Sequence, residues 1–422
     1  MTRTRQLQQQ KQTAAALSGS LRHRRPKTKD TLEKEKRTRL LDEAIVTGNV
    51  DSLRRLSVTG AGFINDGIRR RAWPLLLRTH VPRRKQYVGR FGQDTPHKDE
   101  GQVALDVIRS FTHLATDSKS RQSVKNQRQD ELQQIIIDVL RRHPKLAYYQ
   151  GFHDVCTCLL IVLGKEAATM AAESLAMFFF RDCMLDNLEP VLNQLSLMTA
   201  LLKIEDPEVQ AFLDKSETLP FFPLSWVITW CAHDLHDFGK VARLFDFLMC
   251  FTPLMSVYLT TAVVMARREE LLEVECDNAM VHTFLTKFPK NIDLELVISH
   301  AHQLYTSYPP ETLQNRTESW LDESSCVNTF NKPGTCLYDD NNEKALSTPV
   351  DFGPIDVLLS KPRVKRTKEP ALGKYPSNAL RLYRRNMATM VAFSAASMMG
   401  TAALLLLNSE MFKEWLSNSG LR

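Results

Sequence analysis

Residues 132–163 read LQQIIIDVLRRHPKLAYYQGFHDVCTCLLIVL, and the spacing of their apolar side chains decides the fold class. One apolar face has members three or four positions apart, as on an α-helix: Leu132, Ile135, Ile136, Val139 and Leu140. A second apolar run, 159–163, follows the turn at Gly151. Around this stretch, residues 40–307 contain few alternating strand patterns and few hairpin dipeptides. The sequence therefore predicts an all-α domain at 40–307, built from a dozen or more helices.

The composition of the 422 residues narrows the class of protein. A hydrophobic content of 43% excludes a chain that is disordered throughout, and eight cysteines are too few for a disulfide scaffold. The pair Cys156 and Cys158 has no second cysteine or histidine pair at zinc-binding spacing, so we interpret both as core residues.

Positive charge is concentrated at the N-terminus. Residues 1–39 hold twelve Lys and Arg against three acidic residues, a net charge of +9, which exceeds the +7 of the whole chain. The remainder is therefore slightly acidic, and we expect no nucleic-acid partner. We predict a basic disordered arm at 1–39, because it has almost no large apolar residues. We interpret this arm as a solvated tail that touches anionic lipid, and a transit peptide and a nuclear signal at 22–29 are the alternatives.

Two segments with different composition follow the helical domain. Residues 308–386 are rich in proline and polar side chains, which predicts a largely disordered linker. Residues 387–407, MATMVAFSAASMMGTAALLLL, carry no charge. At about 1.5 Å per residue, these 21 residues would span roughly 31 Å as a helix, close to the thickness of a bilayer core. We therefore predict a single transmembrane helix at 387–407.

The charges beside this segment predict its orientation. Nine basic residues and one acidic residue lie between 361 and 386, so the positive-inside rule places the helical domain in the cytosol. Residues 408–422 would then form a short lumenal tail, and insertion would have to follow synthesis, as in tail-anchored proteins.

Several motifs of common enzymes are missing from the sequence. It contains no GxxxxGK[ST] loop for nucleotide phosphates, no GxSxG nucleophile elbow and no HExxH zinc motif. We accordingly expect no cofactor of its own.

Three other segments occur in a characteristic order: GIRRRAWPLLL at 67–77, VALDVIR at 103–109 and YYQGFHD at 148–154. A later block contains Trp226, Trp230 and the run RLFD at 243–246. Together they resemble the signature motifs of the TBC domain, the family of GTPase-activating proteins for Rab GTPases, over about residues 62–305. The chain departs from the family pattern at Val103, where isoleucine is usual, and after Gly151, where Phe-His replaces the Met-Asn of many members.

The resemblance implies a multi-helix TBC fold and a site that acts on a partner. Arg109 matches the arginine finger of the family and Gln150 its glutamine finger. Arginine suits the stabilisation of a transferring phosphoryl group, because its planar fork bonds two oxygens and stays charged when desolvated. A glutamine amide both donates and accepts hydrogen bonds, so it can orient water.

Neighbouring residues are interpreted as supports for these two. Asp106 lies one helical turn before Arg109 and is expected to orient it through hydrogen bonds. Tyr148 and Tyr149 are expected to pack under the finger loop, and Gly151 to permit either a close approach of the partner or a helix start.

Aromatic and basic residues elsewhere are interpreted as structural. Arg69 and Trp73 are expected to hold the first helices together rather than to touch a partner. The aromatic residues expected in the core are Trp226, Trp230, Phe178–Phe180 and Phe221–Phe222. For the phenylalanine runs, the border of a partner groove is the alternative.

The resemblance also implies partners and a location. The partner would be a Rab GTPase in its GTP state, which carries the GTP and Mg²⁺, so the chain would activate a catalyst rather than be a complete enzyme. The Phe-His-Asp variant after Gly151, the C-terminal segment and the sequence around Asp246 together resemble a tail-anchored family member of the endoplasmic reticulum. That resemblance implies a Rab of the ER-to-Golgi step. Two alternatives remain: a non-catalytic TBC scaffold that tethers a Rab or an adaptor, and a lipid-contact protein that uses the basic arm and the anchor.

Overall fold

The computed structural model describes residues 29–80, 95–111, 119–317, 320–337 and 348–360. Within these ranges every regular element is a helix and none is a strand, which confirms the predicted all-α class. A short 3₁₀ turn occupies Arg181–Cys183.

The described α-helices are numbered here in chain order. They are α1 Lys29–Val46, α2 Val50–Val58, α3 Asp66–Leu76, α4 Glu100–Val107, α5 Lys119–Arg142, α6 Phe152–Leu163, α7 Lys165–Phe178, α8 Glu189–Glu205, α9 Pro207–Lys215, α10 Leu224–Thr229, α11 Phe238–Leu248, α12 Met255–Ala266, α13 Arg268–Leu272, α14 Asn278–Leu285, α15 Leu294–Ser307, α16 Pro310–Thr317, α17 Cys326–Thr329 and α18 Gly353–Ser360.

Helix α6 lies at the centre of the site-bearing half of the domain. It is apolar around most of its circumference, and such helices are stable only when they are buried. It contacts α3, α4, α5, α7, α10 and α11. The loop that precedes α6 and the end of α4 are therefore both built on this helix.

The apolar patterns read from the sequence are in the core. The stripe on α5 that begins at Leu132 and ends at Leu140 is fully buried, and so is most of α12. Cys156 and Cys158 are free and buried, as expected. The aromatic residues expected in the core are at most 5% exposed: Phe178, Phe179, Phe180, Phe221, Phe222, Trp226 and Trp230.

The carboxylate of Asp246, on α11, joins α11 to the start of the domain. It has no solvent exposure and accepts hydrogen bonds from Arg69 Nε at 3.0 Å and Trp73 Nε1 at 2.9 Å. The backbone N–H of Phe63 donates to the same carboxylate at 3.0 Å. Arg69 and Trp73 are thus buried between helices, and both bind Asp246, which lies more than 170 positions later in the chain.

The N-terminal boundary differs from the prediction. Helix α1 starts at Lys29, inside the segment 1–39 that the sequence assigned to a disordered arm. Arg37 explains part of the difference, because its Nε donates to the carbonyl of Gly62 at 3.0 Å, a tertiary contact that composition does not reveal. Residues 1–28 lie outside the described ranges.

The segment predicted as a linker, 308–386, is also partly folded. Pro310 is the first residue of α16, where proline fits because that N–H has no helical partner. Leu313 on α16 and Ile355 on α18 are fully buried. Proline was therefore a poor indicator of a linker here, because it marks helix starts.

None of the described helices is long and apolar enough to cross a membrane. Residues 387–407, predicted to do so, and the predicted tail at 408–422 lie outside the described ranges.

Helix α18 is held on the domain by His143 at the end of α5. The imidazole contacts Glu173 Oε1 through Nε2 at 3.0 Å and Asp356 Oδ1 through Nδ1 at 3.1 Å. Burial opposes its charge, but the two carboxylates outweigh burial and raise the pKa of His143 above its ordinary value of 6.5. Because each ring nitrogen faces a carboxylate oxygen, the protonated imidazole donates to both.

We predict that this contribution to stability depends on pH. A raised folded-state pKa means that it is complete below pH 6.5 and is lost as the pH rises through the folded-state pKa. Urea unfolding of the wild type and His143→Gln should differ by about 1–2 kcal/mol at low pH and converge at high pH. A difference that is constant from pH 5.5 to 9 would contradict this.

Candidate functional site

Arg109 lies two residues beyond the C-terminal end of helix α4. Val103 and Val107 bury one face of the helix, at 0% and 2% exposure. On the opposite side Leu105 and Ile108 are exposed, and the Arg109 side chain beside them is 40% exposed. The guanidinium of Arg109 therefore lies at the surface, and the exposed side chains near it in the sequence, Leu105 and Ile108, are apolar.

Asp106 holds this guanidinium from the protein side. Its carboxylate has no solvent exposure and accepts a hydrogen bond from Arg109 Nη2. Tyr148 Oη donates to the other carboxylate oxygen at 2.8 Å, and Gln102 Nε2 lies 3.2 Å from the first. Burial, and then the Asp106 charge, raise the pKa of Tyr148 well above its ordinary value, so its hydroxyl remains a donor. The structure thus brings Arg109, Asp106 and Tyr148 together.

The loop between α5 and α6 is fixed on both sides of Gln150. The backbone N–H of Tyr148 donates to Asp99 Oδ2 at 2.8 Å, and Tyr149 Oη donates to the carbonyl of Ile228 at 2.7 Å. Tyr149 is buried, whereas Gln150 itself is exposed. The backbone of the loop is therefore anchored, while the side chain of Gln150 is exposed to solvent. Gln150 lies two residues after Tyr148, which donates to Asp106.

Gly151, the residue immediately before α6, has a backbone conformation that residues with a side chain rarely adopt. Its φ is +118°, and a Cβ placed on it would lie 2.8 Å from Cγ2 of Thr229. The sequence left two roles open for Gly151, a helix start or a close approach of the partner. The structure places it at the start of α6, and the group that approaches it closely is Thr229 of the same chain.

The sequence did not single out a second layer of polar residues behind this loop. His153 is 8% exposed, and its Nδ1 lies 3.1 Å from Tyr148 Oη. Asp154 Oδ2 pairs with Nδ1 of His233 at 2.9 Å, and this hydrogen bond raises the pKa of His233. The ring of His153 contacts Tyr148 and Gly151 of the loop and lies 3.8 Å from Asp106 of α4. Only the structure shows that this ring turns back onto the loop that precedes its own helix.

Arg69 and Trp73 belong to the separate cluster around Asp246 and not to this surface. Among the residues that the structure describes, no group of three or more His, Cys, Asp or Glu side chains could hold a metal ion. The expectation that the chain needs no cofactor of its own stays a prediction.

Comparison with known proteins identifies the family. The Rab-GTPase-TBC domain matches residues 66–272. TBC1 domain family member 20 from Bos taurus is 37% identical over 286 residues, 67% of this chain and 70% of the relative. The human protein of the same name is 35% identical over the same shares of both chains. The GTPase-activating protein gyp10 from Schizosaccharomyces pombe is 31% identical over 64% of this chain and 72% of the relative. The chain therefore belongs to the TBC domain family of Rab GTPase-activating proteins.

We predict that Gly151→Ala is strongly destabilising. The new Cβ meets Thr229, whose hydroxyl donates to the carbonyl of Ser225 at 2.7 Å and so resists rotation. Backbone strain and overpacking should each cost about 1–3 kcal/mol, measured by urea unfolding.

Two variants separate the causes. Gly334→Ala also has positive φ, at +79°, but open space around it, and should cost only the strain. Thr229→Ser removes Cγ2 and keeps the hydroxyl, so adding it to Gly151→Ala should recover about 1–3 kcal/mol. No recovery in the double variant would argue against the clash.

Proposed function

We propose that this chain stimulates GTP hydrolysis by a Rab GTPase, to which it supplies Arg109 and Gln150 in trans. The observation that carries the proposal is an exposed guanidinium held from behind by a fully buried carboxylate, with an exposed amide on the adjoining anchored loop. Membership of the family supports it, and the relative from S. pombe is named a GTPase-activating protein.

Arg109 would stabilise the charge of the transferring phosphoryl group. Its hydrogen bond to Asp106 uses one N–H of the five that a guanidinium carries, which leaves donors for phosphate oxygens. Fixing the side chain before the partner binds lowers the entropy lost at the transition state. The exposed Leu105 and Ile108 would exclude water around the bound phosphates.

Gln150 would orient the attacking water. Its amide has both a donor and an acceptor, and the anchored neighbours Tyr148 and Tyr149 restrict its backbone. GTP and Mg²⁺ would belong to the partner, so the two side chains would complete a site that the GTPase has only in part.

We predict that Arg109→Ala lowers stimulated hydrolysis by about 10³-fold or more, as for other arginine fingers. Gln150→Ala should also be severe, since the water then lacks its orienting amide. Single-turnover hydrolysis with purified, GTP-loaded Rab GTPases is the measurement.

Matched controls exist for both residues. Arg268 has the same 40% side-chain exposure as Arg109 and is also paired with a carboxylate, that of Asp206, while Gln303 is an exposed glutamine on α15. Alanine at either position should leave the rate unchanged. Binding without stimulation by the wild type would favour the scaffold alternative, and wild-type rates in Arg109→Ala would reject this role of Arg109.

We further propose that residues 387–407 anchor the chain in the endoplasmic reticulum membrane with the helical domain in the cytosol. The length of the uncharged stretch and the basic residues before it support the proposal. The assignment to this membrane, and to a Rab of the ER-to-Golgi step, rests on the resemblance to a tail-anchored family member described above.

A glycosylation acceptor placed within 408–422 should be modified in cells, because that reaction requires the lumen of this organelle. Deletion of 387–407 should abolish the modification and release the chain from membranes, while an equal deletion within 361–386 should not release it. An unmodified but membrane-bound chain would contradict the orientation.

A further inference from the structure

His153 lies against the peptide bond that carries Gln150. Its Nδ1 is 3.3 Å from the backbone nitrogen of Gly151, whose N–H belongs to the peptide between Gln150 and Gly151. The imidazole is buried, so this contact is shielded from water. A side chain of α6 thus reaches back to the residue that we propose as the water-orienting group.

The neighbours of His153 select one tautomer. Nε2 lies 3.4 Å from Asp154 Oδ1, which can only accept, so the proton belongs on Nε2. Nδ1 then has a lone pair for the N–H of Gly151. The hydroxyl of Tyr148 donates its proton to Asp106 Oδ2 at 2.8 Å, which is nearer than His153 Nδ1 at 3.1 Å. The lone pair of Nδ1 therefore stays available to the N–H of Gly151. The neutral imidazole therefore accepts from Gly151 N–H through Nδ1 and donates to Asp154 through Nε2.

We propose that His153 is a positioning residue for Gln150: its neutral imidazole accepts from Gly151 N–H and fixes the peptide from which the Gln150 amide projects. The inference rests on the proposed role of Gln150. It assigns to His153 a role in positioning that glutamine, without contact between His153 and the nucleotide. The same ring contacts Tyr148, so it also links the Gln150 loop to the carboxylate that holds Arg109.

Protonation would remove this support. A proton on Nδ1 turns the acceptor into a donor facing the N–H of Gly151. Burial lowers the pKa of His153, and the charges of His233 and Arg109 act in the same direction, against Asp154 and Asp106. The ring is therefore neutral near pH 7 and would become charged only below its ordinary value of 6.5. Acid should weaken the positioning of Gln150.

The variant His153→Asn keeps a hydrogen-bond acceptor for Gly151 N–H but removes the group that can be protonated. Its Oδ1 occupies the place of Nδ1, two bonds from Cβ, and can accept from Gly151 N–H, but it gains no proton in this pH range. Leucine at the same position fills the space and supplies no acceptor. The pair His153→Asn and His153→Leu therefore separates the hydrogen bond from packing.

The experiment measures kcat and KM for stimulated hydrolysis by the full chain, between pH 5.5 and 8, with a GTP-loaded Rab GTPase. His153→Leu should lower kcat about five- to tenfold with KM little changed, since the Gly151 N–H loses its acceptor. The Nε2 contact with Asp154 is absent from both variants, so it does not separate them. His153→Asn should keep kcat within about twofold of the wild type at pH 7.5. At pH 5.5–6 the wild type should lose activity relative to His153→Asn.

His300→Asn, a half-exposed histidine on α15, is the control for the substitution itself and should match the wild type at every pH. The inference is overturned if His153→Leu keeps the wild-type kcat. It is also overturned if the wild type and His153→Asn share one acid limb, a result available even where His153→Leu does not fold. Arg109→Ala and Gln150→Ala are run in parallel: if both retain stimulation, the proposed function has failed instead.

Discussion

The buried carboxylate of Asp246 is the interaction on which the domain depends. A charge with no solvent exposure is costly unless opposite charge and hydrogen bonds surround it, and removing one member of such a pair costs about 3–5 kcal/mol. Arg69, Trp73 and the backbone of Phe63 supply the partners. They bind α3 to α11, and both helices pack on α6, so the orientation of the helix below the site rests on this cluster.

The same chemistry is repeated at the site with one difference. Asp106, like Asp246, is a fully buried carboxylate bonded to an arginine and to an aromatic side chain. The Arg69 side chain, however, is 8% exposed, whereas that of Arg109 is 40% exposed. The exposed guanidinium of Arg109 therefore keeps N–H donors facing solvent, whereas that of Arg69 is enclosed.

Local patterns predicted much of this arrangement, and tertiary contacts account for what they missed. The stripe from Leu132 to Leu140 predicted its own burial, and the spacing of Asp106 and Arg109 predicted their hydrogen bond, because both depend on helix geometry alone. Helices α16 and α18 were missed because the prolines before them were taken as breaks. The setting of His153 was missed because spacing along α6 does not show that its ring turns back onto the preceding loop.

By itself, the sequence determined the helical class, the family motifs and the candidates Arg109 and Gln150, since these depend on residue identity and on spacing within one element. The tertiary structure alone decided which of the arginines faces solvent and how the loop of Gln150 is anchored. It also placed His153 behind that loop and His143 between Glu173 and Asp356. Burial and hydrogen bonding between distant residues are properties of the packed chain, and no spacing along one helix encodes them.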